Sequence, residues 1–492
     1  MSSPLCSLPV VLKHRSDDDL KQWLDDLRLR AKFAAAKGGI QKLYIFADLE
    51  WMQQQGDDND NILGGQQCQA IFETLGQVAM ETVEELTIDF MFGLYNQENP
   101  AAAAQQIQVL PCSLLTSLLK HAPKLQNMAL RELQLQGTDR EAQELASCLP
   151  PRLQAFQLQW KGSSHDNPLG VLDPLIAAMS RLANLQEIDL MIPSVCPSLE
   201  LLANCSTLQS VQISVPQTPD NNRQKAGRIM TRLLQSWKKM ADPWNYKQAL
   251  QELKLSAWTI LQNTHTQAAL MGFVRQHPTL ERLAVVDDNS NVDPNMPALA
   301  FTTSESSSSS GSDSEEDITS ANKYNKNNHR SFVDMLVEAL QSNRVLKQLQ
   351  LVSQGNNNDS YMYYPPTATT KANKNDRLRA RKLLGSMMEH NFALEQIEVA
   401  HDGIRISAPS YSRQTWKAKH FRPTHALDFY LQLNQDGYRR QLLSLEQQME
   451  HEHDVNKDKQ VWMEAVLNYQ DDTPALYALL QSCPSAITGV DC

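Results

Sequence analysis

The chain has 492 residues, of which 41% are hydrophobic, 21% charged and 7% aromatic, and its 45 basic and 56 acidic side chains leave a net charge of −11. That balance supplies no basic field to hold nucleic acid or an anionic membrane surface, and no apolar run reaches the roughly 18 residues a membrane span needs. Eight scattered cysteines, without a Cys-x-x-Cys pair, point to reduced thiols in the cytoplasm or nucleus rather than to a disulfide framework or a structural zinc site.

The segment Met1 to Leu12 holds two prolines and meets charge at Lys13, too short a stretch for a secretory leader. After Asp17-Asp18-Asp19, the apolar Leu20, Trp23, Leu24, Leu27 and Leu29 predict an amphipathic helix, so residues 1–36 are expected to form a helical N-terminal cap. From residue 37 to 420 one pattern recurs, with apolar residues at positions 1, 4 and 6. It runs through Ile40, Leu43, Ile45; Val83, Leu86, Ile88; Leu125, Met128, Leu130; Leu153, Phe156, Leu158; and Leu185, Ile188, Leu190. It continues in Leu208, Val211, Ile213; Leu250, Leu253, Leu255; Leu280, Leu283, Val285; Leu346, Leu349, Leu351; and Leu394, Ile397, Val399. Position 2 is Gln, Glu or Lys in almost every copy, and most copies follow a helix-like stretch closed by a short breaker such as His277-Pro278-Thr279 or Ser342-Asn343-Arg344. The unit therefore reads as helix, tight turn, short strand, loop. Intervals between copies range from 23 to 66 residues. Helix-to-strand joints read as short, and the extra length (159–171, 214–226, 286–330, 352–376) follows the strands, which puts it all on one rim. Within it, 302–328 opens with nine serines and five acids between Thr302 and Ser320 and is expected to be disordered. The insert 354–376 is polar but carries Tyr361, Tyr363 and Tyr364 beside two prolines. Residues 421–492 read as short helices around Phe429, Trp462 and Tyr477, suited to covering the last repeat.

A Leu-x-x-Leu-x-Leu strand in a helix-bearing unit of this size resembles the leucine-rich repeat, specifically its ribonuclease-inhibitor-like form. The resemblance implies an α/β horseshoe with a parallel sheet on the concave side, helices on the convex side and a helical C-terminal cap. The repeat's usual Asn or Cys at position 9 is absent: Leu133 and Trp258 stand there in two copies. The side-chain ladder that regularises such arrays is therefore expected to be missing. The tail from His425 to Leu443, with the later Trp462 to Leu467 and Ala475 to Leu480, is similar to the endings of a large microalgal family of leucine-rich repeat proteins of unknown function.

Positions 3, 5 and 7 of each strand should line the concave side, and they are mostly acidic and amide residues with no histidine or cysteine. Glu187, Asp189, Gln212, Glu252, Lys254, Arg282, Gln348 and Gln350 are the candidate partner contacts there. Tyr361, Tyr363 and Tyr364 are candidate aromatic anchors on the rim. Ser310, Ser312 and Ser314 each have an acid three residues on and are candidate phosphorylation sites. No phosphate-binding loop occurs. Asp57 to Asn61 lacks the Gly and Glu of a calcium loop, and His451 with His453 would point to different helix faces. The expectation is a monomeric, non-enzymatic scaffold for another protein, with no metal, cofactor, nucleic acid or membrane involved. Alternatives are a substrate adaptor of a ubiquitin ligase or a regulator of a small GTPase.

Overall fold

The computed structural model describes residues 7–12, 16–35, 38–47, 66–90, 109–160, 169–216, 223–240, 249–261, 263–286, 332–352, 371–401, 404–408 and 426–435, with positions 437, 439, 467 and 476. The thirty apolar residues of the ten triplets are all buried. Each triplet lies in or leads into a strand: β2 (Lys42–Ala47), β3 (Glu85–Asp89), β5 (Asn127–Gln136), β6 (Ala155–Trp160), β7 (Glu187–Met191), β8 (Ser210–Ser214), β9 (Glu252–Ser256), β10 (Arg282–Val286), β11 (Gln348–Val352) and β12 (Gln396–His401). Strand β1 (Ser7–Leu12) precedes them, β4 (Val109–Pro111) pairs only with the second half of β5, and β13 (Ile404–Ala408) follows. Strands β1 to β12, apart from β4, are parallel and stand in sequence order, while β13 runs antiparallel to β12.

Helices lie between the strands, as α1 (Asp17–Ala35), α2 (Gln66–Val78), α3 (Cys112–Leu119), α4 (Asp139–Ser147), α5 (Leu169–Met179), α6 (Arg223–Met240), α7 (Ala257–Ile260), α8 (Thr264–Gln276), α9 (Phe332–Ser342) and α10 (Lys371–Met388), and α11 (Ala426–Gln435) follows β13. A 3₁₀ helix, Pro197–Asn204, takes the helical place in the shortest repeat, where its greater rise per residue spans the layer with fewer residues. One apolar cluster, from Leu8 to Leu431, fills the space between sheet and helices. Positions 1, 4 and 6 supply one side of it, and Phe72, Leu118, Leu175, Trp237, Phe273 and Leu340 are among the helical residues that supply the other. The molecule is thus an α/β solenoid, in which each unit buries its apolar side only by stacking on its neighbours.

Position 2 has a backbone role. The Gln126 carbonyl accepts from the amides of Gln154 (2.7 Å) and Ala155 (3.0 Å), and Gln186 with Gln209 and Ser210, and Gln251 with Glu281 and Arg282, repeat the pattern. The polar side chain there stays partly or fully exposed.

Several expectations need correction. Residues 1–36 hold the helix α1, but also β1, whose Leu8, Val10 and Leu12 are buried in alternation. This is a period-2 pattern that extends the sheet, and Pro9 is tolerated because the strand is at the edge. The last residues of the insert 354–376 belong to α10, which starts at Lys371. Strand β5 outruns its triplet, because a bulge at Glu132 (φ 54°) re-aims the chain so that Leu133 and Leu135 are also buried. Of residues 421–492, expected to form a helical cap, the described part is α11, single helical positions at 439, 467 and 476, and a turn at Gly437 (φ 79°), whose amide donates to the Asn434 carbonyl at 3.0 Å.

A side-chain ladder is present after all, on the helix-to-strand turns rather than at position 9. Thr82, Thr207 and Thr279, each just before position 1, donate to the position-1 carbonyls of the preceding repeats, Ile40 (2.9 Å), Leu185 (2.7 Å) and Leu250 (2.9 Å). Three buried asparagines do the same work further along, Asn343 and Asn391 on turns and Asn434 near the end of α11. Asn343 Nδ2 donates to Val274 O (2.6 Å) while its Oδ1 accepts from the amides of Val345 and Leu346. Asn391 bonds the carbonyls of Leu340 and Asn343 and the amides of Ala393 and Leu394. Asn434 Nδ2 reaches Asn391 O (3.0 Å) and Leu394 O (2.7 Å).

Candidate functional site

Because side chains alternate across a strand, positions 3, 5 and 7 leave the core and face the side of the sheet away from the helices. The register then decides which repeats bring them together. Glu187, Ser210, Glu252, Arg282 and Gln348 are partners in one row across β7 to β11. Asp189, Gln212, Lys254, Ala284 and Gln350 form the next row. Six of the eight candidate strand residues pair directly in these rows with another candidate, and Glu187 and Gln350 are separated from one by a single strand. All eight lie on a surface about 20 Å wide at the usual strand spacing. Glu187, Arg282 and Gln350 are exposed, and the other five are half-buried.

Cross-strand polar contacts order this surface. Arg282 pairs with Glu252 at 2.8 Å, and Gln350 Nε2 donates to Glu398 Oε2 at 2.9 Å. Toward the N-terminal side, Arg131 Nε donates to Gln157 Oε1 and Gln157 Nε2 to Asp189 Oδ2, both at 2.9 Å, with Asp89 4.0 Å from Arg131. Asp189 is thereby joined to a chain of contacts across β3, β5, β6 and β7. Further along, Lys42 pairs with Glu85 at 2.5 Å, and the hydrogen bond its ammonium donates to that carboxylate raises the ammonium pKa above its ordinary value. Arg131, Gln157 and Asp89 were not among the candidate residues. They occupy positions 7, 5 and 7 of their repeats, and that alternation is the signal that marks them.

Position 7 does not always face outward. Ser214 and Ser256 are buried, and the Val215 amide donates to Ser256 Oγ at 2.7 Å while Trp258 Nε1 donates to the Val215 carbonyl at 2.5 Å. The tryptophan at position 9 therefore staples one repeat to the next.

Tyr361, Tyr363, Tyr364, Ser310, Ser312 and Ser314 lie outside the described residues, as do 302–328, Asp57 to Asn61 and the His451–His453 pair. Among the described residues no group of three or more His, Cys, Asp or Glu side chains could hold a metal ion, and no helix is long and apolar enough to cross a membrane. Cys68 and Cys112 are free thiols that burial pushes up to about 12, and burial raises Cys196 as well. At neutral pH these three are protonated and poorly nucleophilic. The chain matches no known family of proteins and no curated protein.

Proposed function

We propose that the repeats are leucine-rich repeats of the ribonuclease-inhibitor-like form, and that the chain is a non-enzymatic scaffold binding one protein partner. The partner would meet the open face of the sheet and the rim beyond the C-terminal ends of the strands. The observation that carries this reading is the convergence of the candidate residues on two adjacent rows of β7 to β11, a polar surface spread over successive repeats. Half-buried polar side chains already held by cross-strand hydrogen bonds lose little entropy when a partner arrives. A mixed set of acids, bases and amides selects by charge complementarity rather than by apolar area. The tyrosines of the rim would add aromatic anchors, and phosphorylation of Ser310, Ser312 or Ser314 would add about −1.5 to −2 charges per site, favouring a basic partner. On this reading the protein is a monomer of the cytoplasm or nucleus.

Partner capture from cell extract by the intact chain and by a Glu252→Lys, Lys254→Glu, Arg282→Glu variant tests the proposal. Each substitution lies at a surface position, so the fold should persist, and at least one partner should be lost. Recovery of every partner by the folded variant removes these rows from the interface. Ligase subunits or a GTPase among the captured proteins would favour the adaptor or the regulator form of the scaffold.

A further inference from the structure

On the helical layer, opposite the open face, a concavity of about 460 Å³ lies between α6 and the start of α8. Helix α6 carries Arg223, Lys225, Arg228, Arg232, Lys238 and Lys239 and no acidic residue, in a chain whose net charge is −11. Arg228 and Arg232, four residues apart, both line the concavity with Gln224, Asn263 and His265, and among the described residues no carboxylate lines it. Both arginines are exposed, and among the described residues neither makes an ion pair. Two like charges at this spacing on one helix face repel each other. An anion between them turns that repulsion into a two-sided clamp, because guanidinium groups offer paired donors that match tetrahedral oxyanions.

The floor of the concavity is built to hold α6 close to α8. The Thr266 hydroxyl donates to the Gly227 carbonyl at 3.3 Å, so Thr231 is the donor in the 3.0 Å contact between the two threonine hydroxyls. A Cβ on residue 227 would stand 3.3 Å from Thr266 Oγ1, so glycine permits the approach. This contact sets the two arginines beside the first turn of α8, where Asn263 Oδ1 accepts from the His265 amide at 2.8 Å. The positive end of that helix dipole adds to the same field.

We propose that the α6–α8 concavity binds a single phosphate group, with Arg228 and Arg232 as its principal ligands. An extended polyanion is disfavoured because the acidic remainder of the chain repels it, whereas one phosphate group feels mainly the local field. A small soluble phosphate and a phosphorylated serine or threonine side chain carry the same chemistry, and the test separates them. The site is on the opposite layer from the proposed partner surface, so the two readings stand or fall independently.

Isothermal titration of the full chain with inorganic phosphate, against sodium chloride of equal ionic strength, should give saturable binding. Affinity should fall roughly tenfold or more in the Arg228→Gln, Arg232→Gln variant, and less in the Arg228→Lys, Arg232→Lys variant, which keeps both charges and serves if the first fails to fold. A phosphoserine peptide with neutral flanking residues, titrated beside its unphosphorylated form, supplies the second arm. Tighter binding than inorganic phosphate assigns the site to protein-borne phosphate, and equal or weaker binding assigns it to a free one. Heats that do not saturate, or that match between the intact chain and the arginine variants, overturn the proposal.

Discussion

The turns at Thr82, Thr207 and Thr279 and those at Asn343 and Asn391 meet the same demand with different chemistry. In each turn the chain leaves a helix and enters a strand, exposing carbonyls to a dry interior, where an unpaired polar group costs free energy. At Thr82, Thr207 and Thr279 a single hydroxyl satisfies one carbonyl of the preceding repeat. At Asn391 one amide joins two carbonyls and two amides. The asparagine turns are therefore more tightly coupled to their neighbours, and a repeat array can be stabilised unevenly without any change in its strand pattern. His277 marks the boundary. It stands three residues before position 1, as Asn343 and Asn391 do, yet it is buried against Phe273 and among the described residues neither ring nitrogen has a hydrogen-bond partner.

The comparison breaks most visibly at Asn391. Replacing it by Ala should cost roughly 3–4 kcal/mol, since several buried groups lose their partner together. Hydrogen exchange should show the loss in β11 and β12 before β5 to β7, because repeat arrays respond locally. Uniform loss along the sheet would mean the turns are not separate units. Next in size is the effect of pH on His277, whose pKa burial lowers from 6.5 to about 4. Above pH 6.5 the ring is neutral in both states. Below it the unfolded chain takes the proton more readily, so stability should fall as pH drops from 6.5 to 4, by about 3 kcal/mol in total. Denaturant titration across that window should show a shallower fall for His277→Asn than for the intact chain; parallel curves would clear His277 of the effect. The smallest change is expected at Thr279→Val, about 1 kcal/mol by chemical denaturation, because one hydrogen bond is lost while the shape is kept. A cost equal to that of Asn391→Ala would erase the distinction between the two kinds of turn.

The strands were legible because burial on one face forces a period of two that no turn chemistry can disguise. Leu253 and Leu349 could be placed in the core from the triplet alone. The turn ladder was hidden because Thr279 and Asn391 do equivalent work from different offsets, so no shared residue type marks it. Strand β1 escaped notice because Leu8, Val10 and Leu12 carry no copy of the polar position 2 and follow no helix. At the candidate site, alternation revealed which side chains leave the core, including Glu252 and Lys254. It could not reveal that Gln157 would bridge Arg131 and Asp189, since that depends on the register of three strands separated by loops of unequal length.

The reversal of the final strand has a consequence for how copies of this chain can meet. In a fully parallel array the last edge is a template for the first: β1 of a second molecule could add to it as β1 adds to β2, and the addition could repeat without end. Strand β13 runs against β12, so a β1 arriving in the direction of the other repeats would find an edge of opposite polarity. It could pair there only as an antiparallel ladder, not as β1 pairs with β2. One hairpin thus makes the last described edge of the sheet unlike every edge inside the array.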